Sequence, residues 1–163
     1  VQEVVDKIIN KKMNLEKIMD AVSLFSKYGI VVDASFVIGT VGEGGRCETK
    51  REILDTIKYA LKLKKLGMGK AGFNIFTPLG GTKMQKFAEK ANFLKLPSDA
   101  TGENTGKPII ETNEFTHKEL VVLAGIGNWL VNYSFKEKII VFFRHISNPF
   151  PYFGYFLKMF FNK

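Results

Sequence analysis

The chain has 163 residues, 45% of them hydrophobic, and a formal net charge of +8; that length and apolar content suit one ordinary domain with a core and exclude disorder as the default. A single cysteine, Cys47, excludes an internal disulfide and cannot alone build a tetrahedral zinc site or a cysteine-ligated iron-sulfur cluster, and it fits a reducing, cytoplasmic compartment. No run approaches the roughly 20 apolar residues of a membrane span, and the start lacks the charged-then-apolar pattern of a secretory signal.

The chain opens at Val1 within "VQEVVDKII", which already has helical spacing, the pattern of a cut through an element or of a processed terminus. "NLEKIMDAVSLFSKYG" places Leu15, Ile18, Met19, Val22 and Phe25 on one stripe, with Asn14 as N-cap and Gly29 past the end, and predicts an amphipathic helix. "IVVDASFVI" follows as a strand too continuous to alternate, as expected where both faces are covered. After a glycine turn, Thr49 and Glu52 have capping-box spacing and Ile53, Ile57, Ala60 and Leu61 form the buried stripe of a second helix that Gly67 closes. "AGFNIFTP" predicts a second strand ended by Pro78, and a second glycine turn leads to a helix capped by Thr82 and Gln85, with Met84, Phe87, Ala88 and Ala91 inward.

Helix, strand, turn, helix, strand, turn, helix is the rhythm of parallel βα units, an α/β fold whose two turns lie at one edge of the sheet. That carboxyl edge is where α/β sheets bind ligands. Residues 97–108 are polar and rich in turn formers and read as a loop, Thr116 and Glu119 form another capping box, and "HKELVVLAGIGNWLVNYS" predicts a helix despite Gly125 and Gly127. The remainder concentrates phenylalanine and tyrosine among lysines, as one or two short helices broken at Pro149 and Pro151.

Glu43 and Glu48 are the carboxylates nearest the first turn; either could bind a ligand ammonium or ribose hydroxyl, and capping of the turn's amides is the better-favoured role. "GEGGRCETK" matches neither a phosphate-binding loop nor a dinucleotide fingerprint, because the terminal Lys-Ser/Thr pair and the GxGxxG spacing are missing. Cys47 beside Arg46 has no histidine close in sequence to act as its base; His117 and His145 lie in predicted helix and tail, so an incidental turn cysteine is preferred. For the aromatic basic tail, packing ranks ahead of peripheral membrane contact, and nucleic acid ranks last.

The segments "NKKMNLEKIMDAVSLFSKYGIVVDASFVIGTVGE", "ETKREILDTIKYALKL" and "FNIFTPLGGTKMQKFAEKANFL" together resemble the second half of the radical S-adenosylmethionine catalytic domain, in the subgroup that often carries an N-terminal cobalamin-binding domain. In that family the fifth strand commonly ends in Gly-Leu-Pro-Gly-Glu-Thr and the sixth in Thr-Pro-Tyr-Pro-Gly-Thr. Here the first string appears as Gly39, Thr40, Val41, Gly42 and Glu43, with Glu48 and Thr49 after an inserted "GGRC", and the second as Thr77, Pro78, Leu79, Gly80, Gly81 and Thr82. Val41 and Gly80 stand where the family has prolines.

The resemblance covers residues 1–96 and implies the last strands of a partial (β/α)6 barrel with parallel strands, followed by a linker at 97–111 and a helical extension at 112–163. It implies S-adenosylmethionine packed by its adenine on Val37, Ile38 and Gly39, with Glu43 buttressing the turn and the backbone near Phe76 and Thr77 meeting the adenine edge. The family's CxxxCxxC loop, which holds the 4Fe-4S cluster, has no counterpart here. The resemblance therefore implies a fragment inactive alone, whose partner is the missing N-terminal half of the same polypeptide. In the intact protein it implies reductive cleavage to a 5'-deoxyadenosyl radical, then hydrogen abstraction or, with cobalamin, methyl transfer, on an unknown small-molecule substrate, lipid-like or tetrapyrrole-like. The alternative is a non-catalytic α/β binding module that uses the basic aromatic tail on a membrane surface or anionic partner. A small enzyme built on Glu43 and Cys47 ranks last. A two-strand slice of a barrel is expected to leave an unpaired edge and an uncovered apolar face.

Overall fold

A computed structural model of the chain describes residues 2–95 and 109–146. A π-helical turn at Val4–Ile8 precedes α1 (Leu15–Lys27), β1 (Ala34–Ile38), a 3-10 turn at Glu43–Gly45, α2 (Lys50–Lys65), β2 (Ala71–Ile75), α3 (Lys83–Lys90), α4 (His117–Asn132) and α5 (Phe135–Ile146). The expected loop at 97–108 and the breaks at Pro149 and Pro151 lie outside the described residues.

Local chemistry sets the helix starts. Asn14 accepts from the amides of Glu16 and Lys17, Thr49 and Glu52 close a reciprocal capping box on α2, and Thr116 and Glu119 do the same on α4. Each cap satisfies amides that the first helical turn leaves without partners. Thr82 accepts from the Gln85 amide at α3, while the Gln85 side chain reaches back to accept from Gly81 N at 2.6 Å.

β1 and β2 pair in parallel, with Phe36 opposite Phe73 and Ile38 opposite Ile75, so the fold is α/β. The Phe36 and Phe73 rings stack at 5.1 Å. One face of this sheet belongs to the core: Ile38, Ala71 and Phe73 are buried in one cluster with Ile53, Ile57, Ala60 and Leu63 from α2 and Leu120, Leu123 and Ile126 from α4. α4 approaches β2 so closely that a Cβ at Gly127 would stand 2.7 Å from the Phe73 ring. Glycine at that position is what lets the helix settle on the strand.

α4 also closes the outer edge of β2. Asn132 accepts from Ala71 N at 2.8 Å and donates to Ala71 O at 2.7 Å, and Asn128 accepts from Phe73 N at 3.1 Å. The two amide side chains thus supply what a neighbouring strand would supply. No described strand pairs with the outer edge of β1. Among the described residues the expected unpaired edge is therefore at β1, while that of β2 is occupied.

Several expectations are corrected. β1 begins at Ala34 rather than Ile30, because Gly69 N donates to Val32 O and the Asp33 carboxylate takes Lys70 N at 2.6 Å, leaving Ile30 and Val31 in an exposed connection. Its burial alternates instead of being complete on both faces: Ser35 and Val37 are exposed, and Asn74 opposite donates to Ser35 Oγ at 2.7 Å. β2 stops at Ile75. In α1 Val22 is buried and Ile18 and Met19 are half-buried, but Phe25 is exposed, since no described element covers the end of that stripe.

Candidate functional site

The carboxyl ends of β1 and β2 lie side by side, joined beyond the ladder by Phe76 N donating to Ile38 O at 2.8 Å. This brings Val37, Ile38, Gly39, Phe76 and Thr77 to one edge. Their side chains differ in availability. Val37 is 43% exposed on the bare face of the sheet, whereas Ile38 is fully buried on the core face; alternation along a strand requires this split. Phe76 and Thr77 are half-buried, and Pro78 behind them is buried.

Gly39 has φ +75°, and a Cβ there would meet Leu120 Cδ1 and Cδ2 at 2.9 Å. The close approach that this glycine permits is made by α4 of the same chain. Thr40, buried, follows, and both residues are held by one carboxylate: Glu48 Oε2 accepts from Gly39 N at 2.8 Å, from Thr40 N at 3.2 Å and from Thr40 Oγ1 at 3.2 Å. Glu48 is fully buried, and its Oε1 has no hydrogen-bond partner among the described residues. Burial pushes its carboxyl above the ordinary value, and the hydrogen bonds from Thr40 and Gly39 pull it back.

The carboxylate that buttresses the turn is Glu48. Glu43, expected in that role, sits exposed in the 3-10 turn, and its side chain makes no described hydrogen bond. The inserted Gly44 and Gly45, both at positive φ, carry the chain around this bulge, and an antiparallel bridge between Val41 and Cys47 returns it so that Glu48 N donates to Thr40 O at 2.9 Å. Arg46 is tied to Glu52 at 2.5 Å and to the Cys47 carbonyl. Cys47 is buried and its thiol is pushed up, chiefly by burial, which is the reverse of what a reactive thiolate needs.

α4 runs with its N-terminus toward this edge: Lys50 at the start of α2 pairs with Glu119 at 2.7 Å. His117 Nδ1 contacts Glu111 Oε1, and Lys95 pairs with the other oxygen of Glu111 at 2.7 Å. Those contacts, the Lys95 hydrogen bond first, hold the Glu111 carboxyl at about 2. No group of three or more His, Cys, Asp or Glu that could hold a metal ion occurs among the described residues.

Sequence reasoning missed Asn128 and Asn132. Two asparagines four apart in an otherwise apolar helix were the available signal, because that spacing puts both amides on one face.

No protein-family model matches the chain, and no solved structure matches it at a significant level. Among curated proteins it is 29% identical over 150 residues to an uncharacterized methyltransferase of Pyrococcus horikoshii, a match covering 92% of this chain and 29% of the relative. The chain thus spans less than a third of that relative's length.

Proposed function

We propose that the chain is the S-adenosylmethionine-contacting, carboxyl-terminal part of the catalytic domain of a larger methyltransferase of the radical S-adenosylmethionine type. The observation that carries this reading is the parallel β1–α2–β2 unit, whose strand ends meet at one edge beside a turn locked by the buried Glu48 carboxylate. The relative named as a methyltransferase supports it. So does the asymmetry of the sheet, with an outer edge on β1 that no described strand pairs and an exposed face bearing Ser35, Val37 and Asn74, as a barrel wall would have where further strands are to be added.

The edge suits a purine-bearing ligand. Val37 offers apolar surface, and Phe76 and Thr77 lie just past the end of the neighbouring β2, while Glu48 keeps the Gly39–Thr40 backbone in a fixed course. S-adenosylmethionine, when bound, supplies the methyl group that such an enzyme transfers; this chain's part is to bind and orient it. An iron-sulfur cluster does not fit this chain's own residues, since Cys47 is the sole cysteine and is buried. In this reading the cluster ligands, any cobalamin and the remaining strands belong to residues outside this chain.

The test is to read the complete reading frame for a CxxxCxxC loop and to measure S-adenosylmethionine binding to the anaerobically reconstituted complete polypeptide. Val37→Asp is expected to weaken binding at least about tenfold by putting a desolvated carboxylate against the adenine. A frame without that loop, or unaltered binding by the variant, would overturn the proposal.

A further inference from the structure

We infer that α5 seats the protein on an anionic membrane surface, lying in the lipid interface. α5 starts cleanly: Ser134 N donates to Glu137 Oε2 at 2.7 Å and Glu137 N to Ser134 Oγ at 3.4 Å, a reciprocal cap. From Phe135 to Ile140 the helix stands outside the buried core. Phe135 is 79% exposed, Ile140 64% and Ile139 42%, and Lys138 lies 5.9 Å over the Trp129 ring as a tie back to α4. Large apolar side chains so exposed on one short helix mark an interaction surface.

Charge selects the occupant. Lys136 and Lys138 stand among these apolar residues, and Glu137, the acid of the helix, is engaged in the cap. From Lys138 to Lys163 the sequence contains Arg144, Lys158 and Lys163 and no aspartate or glutamate, while phenylalanine and tyrosine recur throughout. A protein groove would take the apolar side chains but gives no reason for acids to be absent over such a length. Single-stranded nucleic acid would take the cations and stack on aromatics, but Ile139 and Ile140 offer it nothing. An anionic lipid interface takes both, the aliphatic and aromatic groups at the acyl boundary and the cations among the headgroups. No described helix is long and apolar enough to cross a membrane.

The complete polypeptide would be sedimented with vesicles of phosphatidylcholine alone and of phosphatidylcholine mixed equally with phosphatidylserine. Binding is expected on the mixed vesicles, weakened by salt and by omission of phosphatidylserine. The triple variant Phe135→Ser, Ile139→Ser, Ile140→Ser is expected to lose at least about thirtyfold in partitioning while unfolding at the same temperature, because the residues are already in water. Met13→Ser, also exposed but distant in sequence, should leave partitioning unchanged. Absence of wild-type binding, equal binding by the triple variant, or an equal loss in the Met13 variant would overturn the inference. So would self-association without lipid binding that the triple variant abolishes, since the occupant would then be a second copy.

Discussion

Replacing Glu48 tests the site at its most constrained point. Glu48→Leu removes the acceptor for the amides of Gly39 and Thr40 and for the Thr40 hydroxyl, all within a buried turn. A buried donor left without a partner costs about 1–3 kcal/mol, and the leucine returns part of that as apolar burial, so a loss of about 2–4 kcal/mol is expected. Glu48→Gln keeps one acceptor oxygen in place and removes the buried charge, at the cost of two amide hydrogens where Oε1 already lacks a partner. The two effects oppose each other, and its stability near neutral pH should lie within about 1 kcal/mol of the parent. The pH dependence separates them further. Because burial raises the folded-state value of Glu48 above its ordinary 4.5, the folded state holds the proton more tightly than the unfolded state. Stability of the parent therefore falls as pH rises from about 4.5 through the folded value, a change absent from the glutamine variant. Urea unfolding followed by Trp129 fluorescence, run from below 4.5 to above neutrality, should show the difference between parent and Glu48→Gln moving against the parent with rising pH. A difference moving in the parent's favour would refute the burial argument, and a Glu48→Leu protein as stable as Glu48→Gln would refute the clamp.

The edge cap of β2 should weigh unequally on its two residues: Asn132→Ala, which loses two hydrogen bonds to Ala71, should cost about 1.5–3 kcal/mol and Asn128→Ala about 1, with hydrogen exchange locating the loss at the Ala71 and Phe73 amides respectively. Gly127→Ala should destabilise by about 1–3 kcal/mol because its Cβ meets the Phe73 ring, whereas Gly125→Ala, with nothing within 4 Å, should stabilise by about 0.5–1 kcal/mol through helix propensity; thermal unfolding of the pair checks the contrast. Glu111, held at about 2 by Lys95 and His117, contributes stability that is present above 4.5 and lost as pH falls toward 2, so Glu111→Gln should flatten the acid limb of the unfolding profile in that window.

The parts of this fold that were legible in the sequence are those decided within a few residues. Thr49 with Glu52, Thr82 with Gln85 and Thr116 with Glu119 announce helix starts because a cap and its partner sit three apart. The parallel βα rhythm follows from the alternation of such helices with β-branched runs. What was not legible depends on contacts distant in sequence. Glu43 and Glu48 are both acids beside one glycine turn, and only the antiparallel return of Val41 to Cys47 decides that Glu48 swings under Gly39 while Glu43 stays in solvent. Likewise the need for glycine at position 39 was legible, but that a side chain there would meet Leu120, distant in sequence, was not. Continuity of apolar residues from Ile30 to Ile38 suggested a strand covered twice, but Asp33 takes the Lys70 amide, and the face bearing Ser35 and Val37 stays bare.

That bare face and the two unequal sheet edges give the fold a direction. Past β2 the sheet cannot grow without displacing α4, whose Asn128 and Asn132 already satisfy the outward groups of Ala71 and Phe73. At β1 nothing described satisfies the corresponding groups, and the exposed side chains of α1, the connection and β1 include the large apolar or aromatic Leu24, Phe25, Tyr28, Ile30, Val31 and Val37. An edge of this kind is a hazard if left in water. Added strands would pair with β1 and place Ser35, Val37 and Asn74 on an interior wall, so the sheet's asymmetry and the proposed membership of a larger barrel call for the same missing element. If a parallel strand occupies that edge, the amides of Ser35 and Val37 should exchange slowly in the complete polypeptide and rapidly in the 163-residue chain. Equal, rapid exchange in both would mean that the sheet ends at β1 as well, and the barrel reading would fail with it.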